Sequence, residues 1–277
     1  VIVSTLSLDL HVAVSRAVAF TDGGSLLLAG GLTPAGTTSS VVLIDLTHGT
    51  VTSAGDLARA VHDAGGALVG GAPVVFGGGN VVPESVVQRF DGGHGAVIGQ
   101  LPRARADLVA VAVGGSVFVI GGGTPSRLDR AVLSTTDGIH FQAIATLVDG
   151  VRYPAVAAID GRIIVIGGTD GTHDRNEIQA IDPATGTVRI IGHLPHGLSH
   201  ASAFVIAGRL LVAGGRSAGV AQDTIWEVDP VGGRVSMAGR LPRAVSDAAV
   251  AVVGDVAYLI GGERSEIVSS IISITIA

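Results

Sequence analysis

Short apolar runs recur along this chain, and each ends on paired glycines: SLLLAGG, PVVFGGG, VFVIGGG, IIVIGG, LLVAGG and AYLIGG. The first glycines are Gly30, Gly77, Gly121, Gly167, Gly214 and Gly261, at intervals of 47, 44, 46, 47 and 47 residues. A regular period of this size, with one strand before each doublet, marks a blade repeat. A leucine stands 20 residues before every doublet (Leu10, Leu57, Leu101, Leu147, Leu194, Leu241), which sets the register. Between leucine and doublet lie two strands joined at Gly23-Gly24, Gly70-Gly71, Gly114-Gly115, Asp160-Gly161, Ala207-Gly208 and Gly254-Asp255. Such pairs suit two-residue hairpins that need positive φ. The first strand of each unit is small and apolar, as the narrow centre of a ring requires. A polar loop follows the doublet. A third strand then ends near Asp45, Asp91, Asp137, Asp182 or Asp229, and a fourth leads to the next leucine.

This pattern predicts an all-β fold: a six-bladed β-propeller of four-stranded antiparallel blades, in one domain over residues 1–277. The blades fall at roughly 10–56, 57–100, 101–146, 147–193, 194–240 and 241–277 plus 1–9. The last unit lacks a fourth strand, and Val1 to Leu8 belongs to no complete unit. The N-terminal strand is therefore expected to complete the last blade from outside, which closes the ring.

Composition narrows the function classes without naming one. The charged fraction is 14%, the net charge −6 and the hydrophobic fraction 47%. That excludes a disordered chain and leaves no basic footprint for nucleic acid. All 17 basic residues are arginine, which points to a high-GC genome rather than to a site. The chain has no cysteine, hence no disulfide framework and no thiolate chemistry. No apolar stretch reaches the ~18 residues of a spanning helix, so no membrane insertion is expected. Val1 stands where an initiator methionine would, which reads as a removed leader or an excised domain. The lack of cysteine leaves the redox compartment open; with the trimmed start, an extracytoplasmic location is the favoured expectation.

The doublets, the upstream leucine (followed by proline at Leu101-Pro102, Leu194-Pro195 and Leu241-Pro242) and the turns Asp182-Pro183 and Asp229-Pro230 resemble the kelch family of β-propellers over the whole chain. Members of that family range from protein-binding modules to copper oxidases and sugar mutarotases, so the resemblance implies a shape more than an activity. Ile181 and Val228 stand where kelch repeats carry Tyr, and Val188 and Val235 where they carry Trp; valine fills the same place with less area. Trp226 lies in a third strand instead. These departures mark a divergent, bacterial branch. The copper oxidases of the family need a cysteine bonded to tyrosine, whereas this chain offers only Tyr153 and Tyr258 and no cysteine. No S-x-D-x-G-x-T-W box of the sialidase propellers occurs either.

In a propeller, the connections between blades share a face with the loops after the doublets. Binding is expected there, at the channel mouth. The residue 14 before each doublet enters the inner strand at that face: Arg16, Asp63, Asp107, Tyr153, His200 and Asp247. The same connections carry His62, Arg103, Arg105, Arg152, His196 and Arg243, and the loops add Arg127, Asp174, Arg175 and Arg216. The first twelve make the candidate ligand site, suited to a carbohydrate, a peptide or an unknown protein partner. The competing reading is that they bond one another and the loop backbone. No catalytic residue, metal ligand or cofactor is expected, and a closed ring with few free edges is expected to be a monomer.

Three local motifs are set aside. Gly215-Arg216-Ser217-Ala218-Gly219 spells G-x-S-x-G, but it lies between antiparallel strands without the strand-to-helix turn of a nucleophile elbow. His196 and His200 are four apart on a loop, not on one helical face. Asp170, Gly171, Asp174, Asn176 and Glu177 do not have the spacing of a calcium loop. Two functions remain. One is a non-catalytic binding or scaffold domain, the ligand-sensing or protein-interacting part of a longer bacterial protein. The other is a carbohydrate-active enzyme, a sugar mutarotase or epimerase, with His200 or Asp107 beside Arg105 or Arg152 as the acid–base pair.

Overall fold

The computed structural model describes residues 1–277, built from strands and turns with no helix. The fourth repeat shows how one unit forms. Strands Ala155–Ile159, Arg162–Ile166, Glu177–Asp182 and Thr187–His193 pair antiparallel in chain order, from the centre outward. The hairpin between the first two has Asp160 and Gly161 at φ 50° and 73°, the left-handed pair of a tight turn. A register shift between Ile178 and Gln179 adds twist toward the rim.

The core sits between sheets. Ile164, Ile166 and Ile178 of the fourth repeat pack on Leu194, Leu198, Leu210 and Val212 of the fifth. All six upstream leucines are buried in such seams. Each contributes about 1.5–3 kcal/mol by its removal from water.

The hydrogen bonding corrects the expected ring of six separate blades. Four sheets stand as blades of their own, from the third, fourth, fifth and last repeats; the third is extended to five strands by Arg127–Leu128. The first two repeats instead share one eight-stranded sheet. Its order is Val18–Asp22, Ser25–Ala29, Ser40–Asp45, Thr50–Asp56, His94–Gln100, Val86–Asp91, Ala72–Phe76, Gly65–Val69. The join is a parallel pairing of Asp56 with His94. It bends so that its end strands, Val18–Asp22 and Gly65–Val69, touch beside the channel, giving a nearly closed sheet. Missing side chains permit the join: a Cβ on Gly55 would lie 1.9 Å from the carbonyl oxygen of Gly93, and one on Gly95 2.2 Å from the nitrogen of Ala58. The fold is thus a propeller of four blades with a nearly closed eight-stranded sheet, arranged around one channel. In the last sheet, Ile2–Asp9 runs antiparallel to Ser270–Thr275 as the outer strand.

The doublets have a physical cause. The second glycine of each donates its N–H to a carbonyl two residues before the candidate mouth residue of the next repeat: Gly31 to Val61, Gly168 to Leu198, Gly262 to Val14. That carbonyl lies where a Cβ on the first glycine would sit, 2.0 Å away at Gly261. Left-handed φ values of 64° at Gly261 and 108° at Gly262 complete the requirement.

Candidate functional site

The six residues at the head of the inner strands form a closed circle of backbone hydrogen bonds. The N–H of Arg16 donates to Asp247 O, Asp63 to Arg16, Asp107 to Asp63, Tyr153 to Asp107, His200 to Tyr153 and Asp247 to His200, at 2.8–3.1 Å. Each bond crosses from one repeat to the next. To make it, every member adopts a left-handed conformation: φ is 54°, 55°, 62°, 50°, 57° and 57° from Arg16 to Asp247. Such a φ costs a non-glycine residue roughly 1–2 kcal/mol. These six line a mouth cavity of about 110 Å³. Below it lies a channel cavity of about 570 Å³, walled by small apolar residues such as Ala17, Ala64, Ala110, Ala157 and Ala203.

Charge is concentrated at the mouth. Arg16 Nε lies 2.9 Å from Glu263 Oε1, and its Nη1 lies 3.4 Å from Asp63 Oδ2. Arg216 reaches Glu263 at 2.8 Å and Asp247 at 3.5 Å, while Arg152 pairs with Asp107. Tyr153 donates its hydroxyl to Asp63 Oδ2 at 3.1 Å and stacks on the His200 ring at 3.8 Å. The Arg16 and Arg152 guanidinium groups flank that tyrosine ring at 5.9 and 5.6 Å. Four carboxyl groups thus face three guanidinium groups, and one acid is left in surplus.

The surplus falls on Asp63. Burial, together with the neighbouring Asp107 and Asp247 charges, pushes its carboxyl up to about 7 against the pull of Arg16 and Tyr153. Burial also lowers His200, with help from Arg16 and Arg216 and against Asp247 and Asp107. His62 is lowered by burial and by Arg16. Burial works against Glu263 as an anion, yet bonds from Arg16 and Ser15 keep it below its ordinary value. At neutral pH the mouth therefore holds neutral imidazoles and a half-protonated acid beside fixed ion pairs. Such a set can donate and accept protons, or clamp an anionic or polyhydroxy ligand.

The structure brings eight of the twelve candidates together. The six ring residues line the cavity; Arg152 joins through Asp107, and His62 through Asp63, with Nε2 at 3.5 Å from Oδ2 and Nδ1 on Thr37 Oγ1. Four lie elsewhere. Arg103 and Arg243 are exposed, and His196 packs edge-on to Trp226 at 6.0 Å. Arg105 is buried in a seam, bonding the carbonyls of Gly121 and Ala131 at 3.2 Å each. That placement separates Arg105 from Asp107 as an acid–base partner. Glu263 and Arg216, absent from the twelve, complete the ion pairs. Both stand two residues after a first glycine, and that position bridges the residue preceding the ring: Ser199 with Arg216, Ser246 with Glu263. Arg216 is among the loop residues already placed at this face; counting two forward from the doublet would also have found Glu263. No group of three or more His, Asp or Glu side chains has a metal-binding arrangement, and no helix is long and apolar enough to cross a membrane.

A family model described as the Kelch motif matches residues 151–195, which span the four strands of the fourth repeat. No curated protein matches the chain. Among solved structures, that of YjhT is similar with a TM-score of 0.84 and 15% sequence identity, over 97% of this chain and 96% of that one. At that identity the likeness speaks for the fold alone. Repeat, channel and match together make this chain a β-propeller, one segment of which is similar to the Kelch motif.

Proposed function

We propose that the channel mouth is the binding site of a non-catalytic propeller domain of the kelch-repeat type, taking a polar ligand such as a carbohydrate or an acidic peptide. One observation carries this reading. Six strained positions that glycine would fill at lower cost hold Arg, Asp, Asp, Tyr, His and Asp, in a chain with 42 glycines. Side chains kept against backbone strain are kept for what they touch. A mouth of about 110 Å³ is well below the ~300–1,000 Å³ that encloses a drug-sized molecule, so it grips one polar end of its ligand. The domain works as one unit over residues 1–277, as a monomer.

The test is a thermal-shift and calorimetric panel of neutral sugars, uronic acids and acidic peptides. A binder is expected to lose at least ten-fold in affinity on Arg16→Ala or Asp107→Asn. Silence across the panel, or a hit indifferent to both changes, removes this reading.

A second reading, proton transfer on a bound sugar as in a mutarotase or epimerase, is favoured by Asp63. A carboxyl near 7 with a phenol at 3.1 Å suits general acid–base catalysis at neutral pH. Asp63→Asn would then abolish anomer exchange, followed by NMR, while sugar affinity stays within a few-fold.

A further inference from the structure

His200 is the one ring residue whose polar tip is not taken up by an ion pair or hydrogen bond at the mouth. Its Nε2 has no hydrogen bond within the chain and lies 3.9 Å from Asp247 Oδ1, beyond bonding distance. Its other nitrogen, Nδ1, lies 2.8 Å from Ser199 Oγ. That oxygen in turn lies 2.7 Å from Asp174 Oδ1, and Asp174 Oδ2 accepts the backbone N–H of Ala218 at 2.8 Å. Asp174 belongs to the loop after the fourth doublet, whereas Ser199, His200 and Ala218 belong to the fifth repeat. The chain of contacts therefore crosses a seam.

The proton count along this chain has one solution. An ionised carboxylate only accepts, so the single hydroxyl proton of Ser199 goes to Asp174. Ser199 Oγ can then only accept from His200, which requires the proton on Nδ1. A neutral imidazole with Nδ1–H has a bare Nε2. Burial favours the neutral form, with Arg16 and Arg216 adding to it and Asp247 and Asp107 opposing. Tyr153, stacked at 3.8 Å with ring planes 22° apart, holds the imidazole plane.

Resting on the reading of the mouth as a ligand site, we infer that His200 Nε2 is the acceptor for a hydroxyl or N–H of the ligand, with Asp174 and Ser199 as positioning residues that set its tautomer. The mouth then does more than clamp charge: it selects ligands that present a hydrogen-bond donor at this point, such as a sugar hydroxyl. A ligand offering only a carboxylate there meets a lone pair and is disfavoured. His200 is also placed to take a proton from that hydroxyl if the bound sugar reacts.

Long-range ¹H–¹⁵N correlation of the full chain at neutral pH reads the tautomer directly, with the His200 signals assigned by their loss in His200→Gln. The expected result is a pyrrole-type Nδ1 and a pyridine-type Nε2. Asp174→Asn reverses the relay, because its carboxamide can accept from Ala218 only while donating to Ser199, and the two nitrogen types should exchange places. Ser199→Ala removes the tie and should give a mixture, whereas Ser199→Thr should restore the wild-type pattern. A wild-type His200 carrying its proton on Nε2, or a pattern unmoved by Asp174→Asn and Ser199→Ala, overturns the inference. A parallel titration with D-glucose and D-glucuronate reports on the binding reading separately. Absence of shifts there, with the tautomer as expected, would remove the ligand and leave the relay.

Discussion

Every inner strand of this protein begins and ends on a left-handed residue, and the two ends solve that requirement differently. At the hairpin end the chain places Gly23, Gly70, Gly114, Asp160, Ala207 and Gly254, with φ between 48° and 59°. At the mouth end, with φ between 50° and 62°, it never uses glycine. The same backbone demand is met by glycine at four of six positions on one face, and only by charged or aromatic side chains on the other. Surroundings differ as well. A Cβ added to Gly23, Gly70, Gly114 or Gly254 meets nothing within 4 Å, whereas around the mouth the doublet glycines abut carbonyls of the next repeat. One face is built for turning the chain. The other is built for holding side chains in fixed relation.

The largest effect should separate the two faces through glycine itself. Gly261→Ala drives a Cβ to 2.0 Å from Val14 O, a backbone atom that cannot swing aside as a side chain could, so the chain itself must shift. A loss of about 3 kcal/mol or more is expected from overpacking plus the φ penalty. Gly254→Ala, with a similar φ of 57° but open space, should cost only about 1 kcal/mol. Urea denaturation of both proteins measures the difference. Equal losses would mean that crowding at the mouth is not what the doublets answer.

Next in size is Asp247→Ala. It removes a carboxylate that faces Arg16 and Arg216 and takes the Ser246 hydroxyl at 2.7 Å. The arginines are about a quarter exposed, so the cost is set at about 2 kcal/mol, below that of breaking a fully buried pair. Chemical denaturation checks it, and any ligand found for the mouth should weaken in step.

The pH dependence of stability sharpens the comparison further. Folded Asp63 keeps its proton up to about 7, whereas the unfolded carboxyl loses it near ~3.9. Between those values the unfolded state releases the proton first. Asp63 therefore makes the fold less stable as pH rises from about 4 to about 7, and the loss is complete above that. Asp63→Asn should flatten the slope in this window and make the protein more stable than wild type at pH 8. Asp137, on an exposed rim turn, has the opposite sign. Bonds from His140 and from the backbone N–H groups of His140 and Ile139 hold it below its ordinary value. Its contribution is present at neutral pH and is lost as the medium turns acid, so Asp137→Asn should weaken the fold at pH 7 and leave it unchanged in strong acid. A wild-type slope unaltered by Asp63→Asn would show that the mouth carboxyls share their protons otherwise.

The smallest expected change lies on the hairpin face. Ala207→Gly relieves a left-handed alanine at φ 48° and should raise stability by about 0.5 kcal/mol, the φ relief less the entropy of glycine. The corresponding change at the mouth, His200→Gly, relieves the same strain but removes the Tyr153 stack, and should not stabilise.

Much of this division was legible from spacing. Counting 14 back from each doublet reached all six ring residues, because the hairpin of the first two strands has constant length between the mouth residue and the glycines. The same count explains the error at Arg105. It stands two before Asp107, where the other repeats have Val14, Val61, Val151, Leu198 and Val245, so the register already assigned it to an apolar seam. Arg216 was named with the loops, and Glu263 was reachable by counting two forward from the doublet. What spacing could not show was the joining of the first two repeats. It depends on how closely Gly55 comes to Gly93 across neighbouring rim strands, and no hydrophobic period records the gap between sheets. Asp63, Asp107, His200 and Asp247 are of types enriched in the left-handed region, but Arg16 and Tyr153 are not, so spacing alone did not show that all six adopt it.

The circle of N–H to carbonyl bonds through Arg16, Asp63, Asp107, Tyr153, His200 and Asp247 has no first member and no last. A hoop of that kind cannot loosen at one point without tugging both adjacent links, so its side chains share a common rigidity. On the proposed reading of the mouth, a ligand meets a collar already set to size, and discrimination rests on matching that outline rather than on any closing movement.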